Sequence, residues 1–239
     1  MRTMDDILSN FFHFLHLSDN AAKIGVMLCD ATLETLYMTV VSTIFAYILG
    51  IPLGIALTVT DAQQGLRPNA PVYRVLDIAC NLLRSVPFII LLVVIIPFTR
   101  LIVGKAYGST ATIVPLVISA APFVGRMVES SLKEVDKGVV EAAQSMGASM
   151  WQIIRKVLLP EARTSLLIGG TIALGTILGY SAMAGAVGGG GLGDLAIRYG
   201  YHRYDTVIML ITLVLLVLIA QIFQSIGMYM AKAWDRRRH

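Results

Sequence analysis

Four stretches of this 239-residue chain carry no charged side chain at all: residues 35–60, 106–125, 164–193 and 206–231. An α-helix needs about 20 mostly apolar residues to cross the hydrocarbon of a bilayer. Each stretch reaches that length. Composition agrees, with 56% of residues hydrophobic and 14% charged, against about 45–50% and 25% in soluble domains. A water-soluble globular domain and a disordered chain are both excluded. A fifth stretch, residues 85–99, is charge-free for only 15 residues. It extends through residues 78–83 and 101–104, with Arg84 and Arg100 near its ends, where long basic side chains can snorkel to the interface. The chain reads as an all-α membrane protein with five transmembrane helices.

Five spans place the termini on opposite sides, and basic residues choose the orientation. With the C-terminus inside, residues 61–84, 126–163 and 232–239 are cytoplasmic and hold 13 of the 19 Lys and Arg residues. The N-terminus is then outside. Three parts follow: a periplasmic or interfacial tail over residues 1–31, a membrane domain over residues 32–231, and a basic cytoplasmic tail over residues 232–239. The net charge of +4 lies in the gaps between spans, so a lipid surface is expected as a partner and nucleic acid is not. Asp5 and Asp6 stand where a signal peptide carries basic residues.

The spans are irregular. Pro52, Pro87, Pro97, Pro115 and Pro122 fall in or beside them, which membrane helices tolerate when neighbours satisfy the freed carbonyls. Two glycine pairs, Gly50 with Gly54 and Gly175 with Gly179, allow close helix approach. Gln221 and Gln224 share a face of the last span and could bond across helices. No ionisable group sits at the middle of a span, which argues against an ion-coupled carrier. No histidine lies within a span, which argues against an intramembrane enzyme. No P-loop sequence is present, so the chain is not expected to hydrolyse ATP itself.

Weaker patterns carry less. Cys29 and Cys80 form no disulfide framework or zinc spacing. His13 and His16 share helical spacing in an apolar segment, where a membrane-surface helix outweighs a metal site. Gly188, Gly190 and Gly193 fit the dinucleotide fingerprint in form but follow no strand. A flexible turn at the outer end of span four is the better reading.

The most informative segment is the 38-residue gap over residues 126–163, far longer than the common 2–8 residues between helices. Glu141 would suit a helix N-terminus. Ala142 and Ala143 keep a helix surface low enough for a partner backbone, and Gly147 allows a sharp exit. Met150, Trp151, Ile153, Ile154, Val157 and Leu158 follow at helical spacing. Two uses remain open: docking into a partner's groove, or lying on the inner bilayer surface. Arg126, Glu129, Lys133 and Asp136 read as solvated ion pairs.

The spacing of Glu141-Ala142-Ala143, Gly147, Val157, Leu159 and Pro160 resembles the EAA signature of ABC importer membrane subunits, with Val157 in place of the commoner Ile. The resemblance covers roughly residues 31–231. It implies the type I importer fold, in which this loop forms a coupling helix. Glu141, Ala142, Ala143, Gly147 and Met150 would then contact an ATPase subunit, and Pro160 would end the loop's second helix. Residues 84–92, 96–100, 121–129 and 179–193 are similar to methionine-importer membrane subunits. The implied assembly is a homodimer in the bacterial inner membrane, with two ATP-binding cassette ATPases and a periplasmic methionine-binding protein. ATP and Mg would be bound by the ATPase, leaving no cofactor, metal or catalytic residue in this chain. Tyr180, Ser181 and Met183 are candidates for the translocation pathway. An importer for another small nutrient and, more remotely, a stand-alone carrier are the alternatives.

Overall fold

The computed structural model describes residues 4–234, with side chains from residue 23 onward. His13, His16 and the last five residues of the basic tail lie outside what is described for them. The described residues are helical, with no strand. Four helices are long and apolar enough to cross a membrane: α1 (Met4–Thr60, its apolar part from Lys23), α5 (Ser109–Lys133), α9 (Arg163–Gly185) and α11 (Thr206–Ala233). Between α1 and α5 lie α2 (Ala70–Ser85), α3 (Phe88–Val94) and α4 (Ile96–Val103). Between α5 and α9 come α6 (Lys137–Ser145), α7 (Met150–Ile153), a π turn (Ile154–Leu158) and α8 (Leu159–Glu161). Then α10 (Gly191–Leu195) and a second π turn (Ala196–Tyr201) lead to α11.

Helix α1 crosses residue 31 without a break, so tail and first span form one helix. Four of its threonines satisfy themselves in the same way: Thr35, Thr43, Thr58 and Thr60 each donate a hydroxyl hydrogen bond to the carbonyl four residues back. That pattern suits hydroxyls in an apolar medium. Helix α5 is the centre of the bundle, with 67% of its apolar window buried, against 17% for α11. Side chains cannot separate α1 from α5 where Gly50 and Gly54 face it. A Cβ at Gly54 would fall 2.5 Å from that of Val128, and one at Gly50 would fall 2.5 Å from Val124 Cγ1. Gly175 and Gly179 behave differently from the expectation. Nothing within the described residues lies within 4 Å of a Cβ built on either. Gln221 and Gln224 are also exposed.

Two spans depart from their expected outlines. The second is not one straight helix: α2 and α3 meet at a bend of 100°. Pro87 supplies no N–H and forces the preceding residue out of the helical region, and Val86 is extended at φ −77°, ψ 124°. The fourth ends at Gly185, before residue 193. Gly188, Gly190 and Gly191, at φ of 80°, 83° and 74°, reverse the chain there. This glycine turn is not a loose outer loop. Gly191 N–H donates to Glu34 Oε2 at 2.7 Å and Leu192 N–H to Thr35 Oγ1 at 2.9 Å, both on α1. From α5, Gly108 N–H donates to Gly188 O at 3.0 Å and the Thr112 hydroxyl to Gly189 O at 3.2 Å.

Candidate coupling surface and its ion network

At the opposite end of the bundle, α6 is defined by its caps. Asp136 accepts a hydrogen bond from Gly138 N–H at 2.7 Å, satisfying an orphan donor of the first turn. At the other end Gly147 takes φ 77°. Gly147 N–H donates to Gln144 O at 2.9 Å and Ala148 N–H to Ala143 O at 3.1 Å, the paired bonds of a left-handed glycine cap. Ser149 and Gln152 then form a reciprocal capping box for α7. Glu141 sits mid-helix, not at the N-terminus, because Asp136 starts the helix five residues earlier.

The loop is anchored by apolar burial on one side. Ala143, Ile153, Ile154 and Leu158 join the main core with Leu132 and Val135. The sequence stripe therefore divides: Ile153, Ile154 and Leu158 point inward, while Met150 and Trp151 are exposed. Glu141, Ala142 and Gly147 are exposed together on the outside, and Met146 beside them is 81% exposed. Ala143 is buried on the anchoring side. Pro160 is exposed and stands one residue before the helical path ends at Glu161, just after a π turn.

Where α6 is rooted, the expected solvated pairs are instead a packed network. Glu129, with only 6% of its side chain exposed, accepts from Arg126 at 2.7 Å and Lys133 at 2.8 Å. The Tyr73 hydroxyl reaches it at 3.3 Å. Lys133 also binds Asp61 at 2.6 Å. Arg126 pairs with Asp77 and, at 3.1 Å, with Asn81. The ammonium of Lys133 holds the Asp61 carboxyl below its usual range. Asp136 takes no part, being committed to the α6 cap. Sequence reading missed Asp61, Tyr73, Asp77 and Asn81. The available signal was the spacing of Tyr73, Asp77 and Asn81, one helix face at intervals of four. A cavity of about 350 Å³ opens beside this network, between Gln63, Gln64 and Leu66 on one side and Val140, Glu141 and Gln144 on the other.

The other candidates are scattered. Tyr180 stacks on Phe88 with ring centroids 4.6 Å apart, joining α9 to α3. Ser181 is buried and donates to Leu178 O at 2.8 Å. Met183 alone of the three is exposed.

A membrane bundle of long helices with a short capped helix held out at one end is the architecture of an ABC transporter permease subunit. The chain belongs to the family of binding-protein-dependent transport system inner membrane components, whose model matches residues 50–237. It is 56% identical over 211 residues to the probable D-methionine transport system permease protein MetI of Vibrio cholerae, covering 88% of this chain and 93% of that one. It is 53% identical over 152 residues to the D-methionine transport system permease protein MetI of Escherichia coli K12, covering 64% of this chain and 70% of that one. Among solved structures it matches the inward-facing MetNI methionine ABC transporter at TM-score 0.87 and 48% identity, over 90% of this chain and 99% of that one. An amino acid ABC transporter crystallised with histidines shares the fold at TM-score 0.68 and 18% identity, over 91% and 97% of the two chains.

Proposed function

We propose that the chain is the membrane-spanning subunit of an ATP-driven methionine importer, acting on the L and D forms by alternating access. The observation that carries the coupling role is α6: a short helix capped at both ends, anchored by Ala143, with Glu141, Ala142 and Gly147 bare on its outer side. A groove on an ATPase subunit fits that face better than a bilayer does, because it presents the charged Glu141 beside the small Ala142 and Gly147. The cargo rests on the names of the relatives. In this reading two copies form the permease, with Met150 and Pro160 beside the docking helix. Two ATPases bind ATP and Mg on the cytoplasmic side, and a methionine-binding protein docks on the periplasmic side. The N-terminus faces out and the C-terminus in, and Met183 is the candidate nearest a pathway between copies. ATP-driven closure of the ATPases draws the two α6 helices together and switches the bundle between its two states.

The test is co-purification with the ATPase and uptake into vesicles. Glu141→Lys and Gly147→Trp are expected to insert in the membrane normally, lose the ATPase and abolish uptake. Wild-type uptake by either variant defeats the assignment of α6.

A further inference from the structure

Five charged side chains meet where the end of α1, the length of α2 and the end of α5 come together: Asp61, Asp77, Arg126, Glu129 and Lys133. Helix α2 meets α5 mainly through polar groups. Tyr73 reaches Glu129, Asp77 and Asn81 reach Arg126, and Arg84 lies over the Phe123 ring at 6.0 Å. Its apolar residues Val72, Val75, Ile78 and Leu82 are exposed on other sides, while Cys80 is buried and Leu76 half-buried. Few apolar side chains of α2 are therefore buried, and charged and polar groups supply its named contacts with α5. Lys133 is the last residue of α5, and α6 begins at Lys137. Between them Val135 is buried in the core with Ala143 and Leu158. Beside this root the cavity of about 350 Å³ separates α6 from the corner over residues 63–66. The charged route through Lys133 thus joins that corner to the base of α6 where packing leaves a gap.

We infer that Glu129 and Lys133 are positioning residues that lock α2, the α1–α2 corner and the root of α6 into one rigid body, so that displacement of α6 carries α2 with it. This rests on the reading of α6 as the ATPase docking helix. Glu129 is the hub, since it alone touches both cations and Tyr73. Lys133 extends the hub to the corner through Asp61.

The experiment uses the full complex, with ATPase and binding protein, in proteoliposomes, and reads methionine uptake per ATP hydrolysed. Lys133→Asp and Asp61→Lys should each still co-purify the ATPase, because α6 is untouched. Each should lower uptake per ATP by about tenfold, the scale of coupling between contacting charges. The conservative variants Lys133→Arg and Asp61→Glu should keep the ratio, since each preserves the charge pair and Lys133→Arg leaves a cation beside Glu129. Charge-reversed variants with a wild-type ratio, or well-assembled conservative variants that are as uncoupled as the reversed ones, overturn the inference. Absence of ATP-driven uptake in the wild type strikes instead at the importer reading. Should the single variants not assemble, spin labels at exposed Val75 and Lys137 of the otherwise wild-type complex decide. The Val75–Lys137 distance is expected to stay fixed on ATP binding while the distance between the two copies' Lys137 positions shortens. A change within the subunit as large as that between copies refutes the rigid body.

Discussion

A single missing side chain decides how α1 and α5 meet. At Gly54 a Cβ would lie 2.6 Å from the Gly125 carbonyl oxygen as well as 2.5 Å from Val128 Cβ, so backbone on one side leaves no room to yield. Gly54→Ala is expected to destabilise the chain by about 1–3 kcal/mol, the usual cost of overpacking a closed contact. Gly175→Ala, with nothing within 4 Å, should be neutral for the isolated subunit. Denaturation midpoints in mild detergent measure both, and equal midpoints would show that the seam yields. The sequence presents these two glycine pairs with the same spacing. Only the facing residue separates them, and spacing alone does not reveal which helix, if any, lies opposite. The same limit hid the network around Glu129. A row of Tyr73, Asp77 and Asn81 reads as a wetted surface until Arg126 is placed against it.

At the scale of elements, hydropathy located the four long helices because each is an unbroken apolar run. It located the second span without its bend, because averaging over residues 78–104 passes over Pro87, which the sequence marks only as an irregularity. Backbone chemistry, not hydropathy, sets the 100° bend there. The fourth span was drawn too long for a related reason: glycines 188–191 are uncharged and count as membrane, yet three of them take positive φ and reverse the chain. The loop over residues 126–163 was the most legible segment in chemistry and the least legible in outline. Gly147 makes the sharp exit expected of it, and the helix of Pro160 ends one residue later, at Glu161, after a π turn that the sequence did not mark. The cap at Asp136 was not recognised, since a lone Asp two residues before a Gly also marks a plain turn. Asp136→Ala should cost about 0.5–2 kcal/mol of local stability. Hydrogen exchange should show the amides of α6 opening faster, with those of α5 unchanged. Equal protection in α6 would remove the cap from the account.

For the whole molecule, the charged corner makes stability depend on acidity. The Asp61 carboxyl is held low by Lys133, so its contribution is present above the ordinary carboxylate range and is lost as pH falls through its folded-state value. Wild type should be more stable than Asp61→Asn at neutral pH, with the difference closing in acid. A gap in unfolding midpoint that stays constant down to strong acid would show that the pair contributes nothing through charge. The opposite end of the bundle is stitched differently, by backbone groups of the glycine turn. Around that turn, four hydrogen bonds tie α1, α5 and the start of α10 at one level: Gly191 to Glu34, Leu192 to Thr35, Gly108 to Gly188 and Thr112 to Gly189. A channel mouth cut through the middle of one subunit at that level would have to break them all in an apolar medium. In the proposed two-copy permease a mouth formed by the subunits swinging apart breaks none, and the doorway on that side would then belong to the pair, with no counterpart in a single chain.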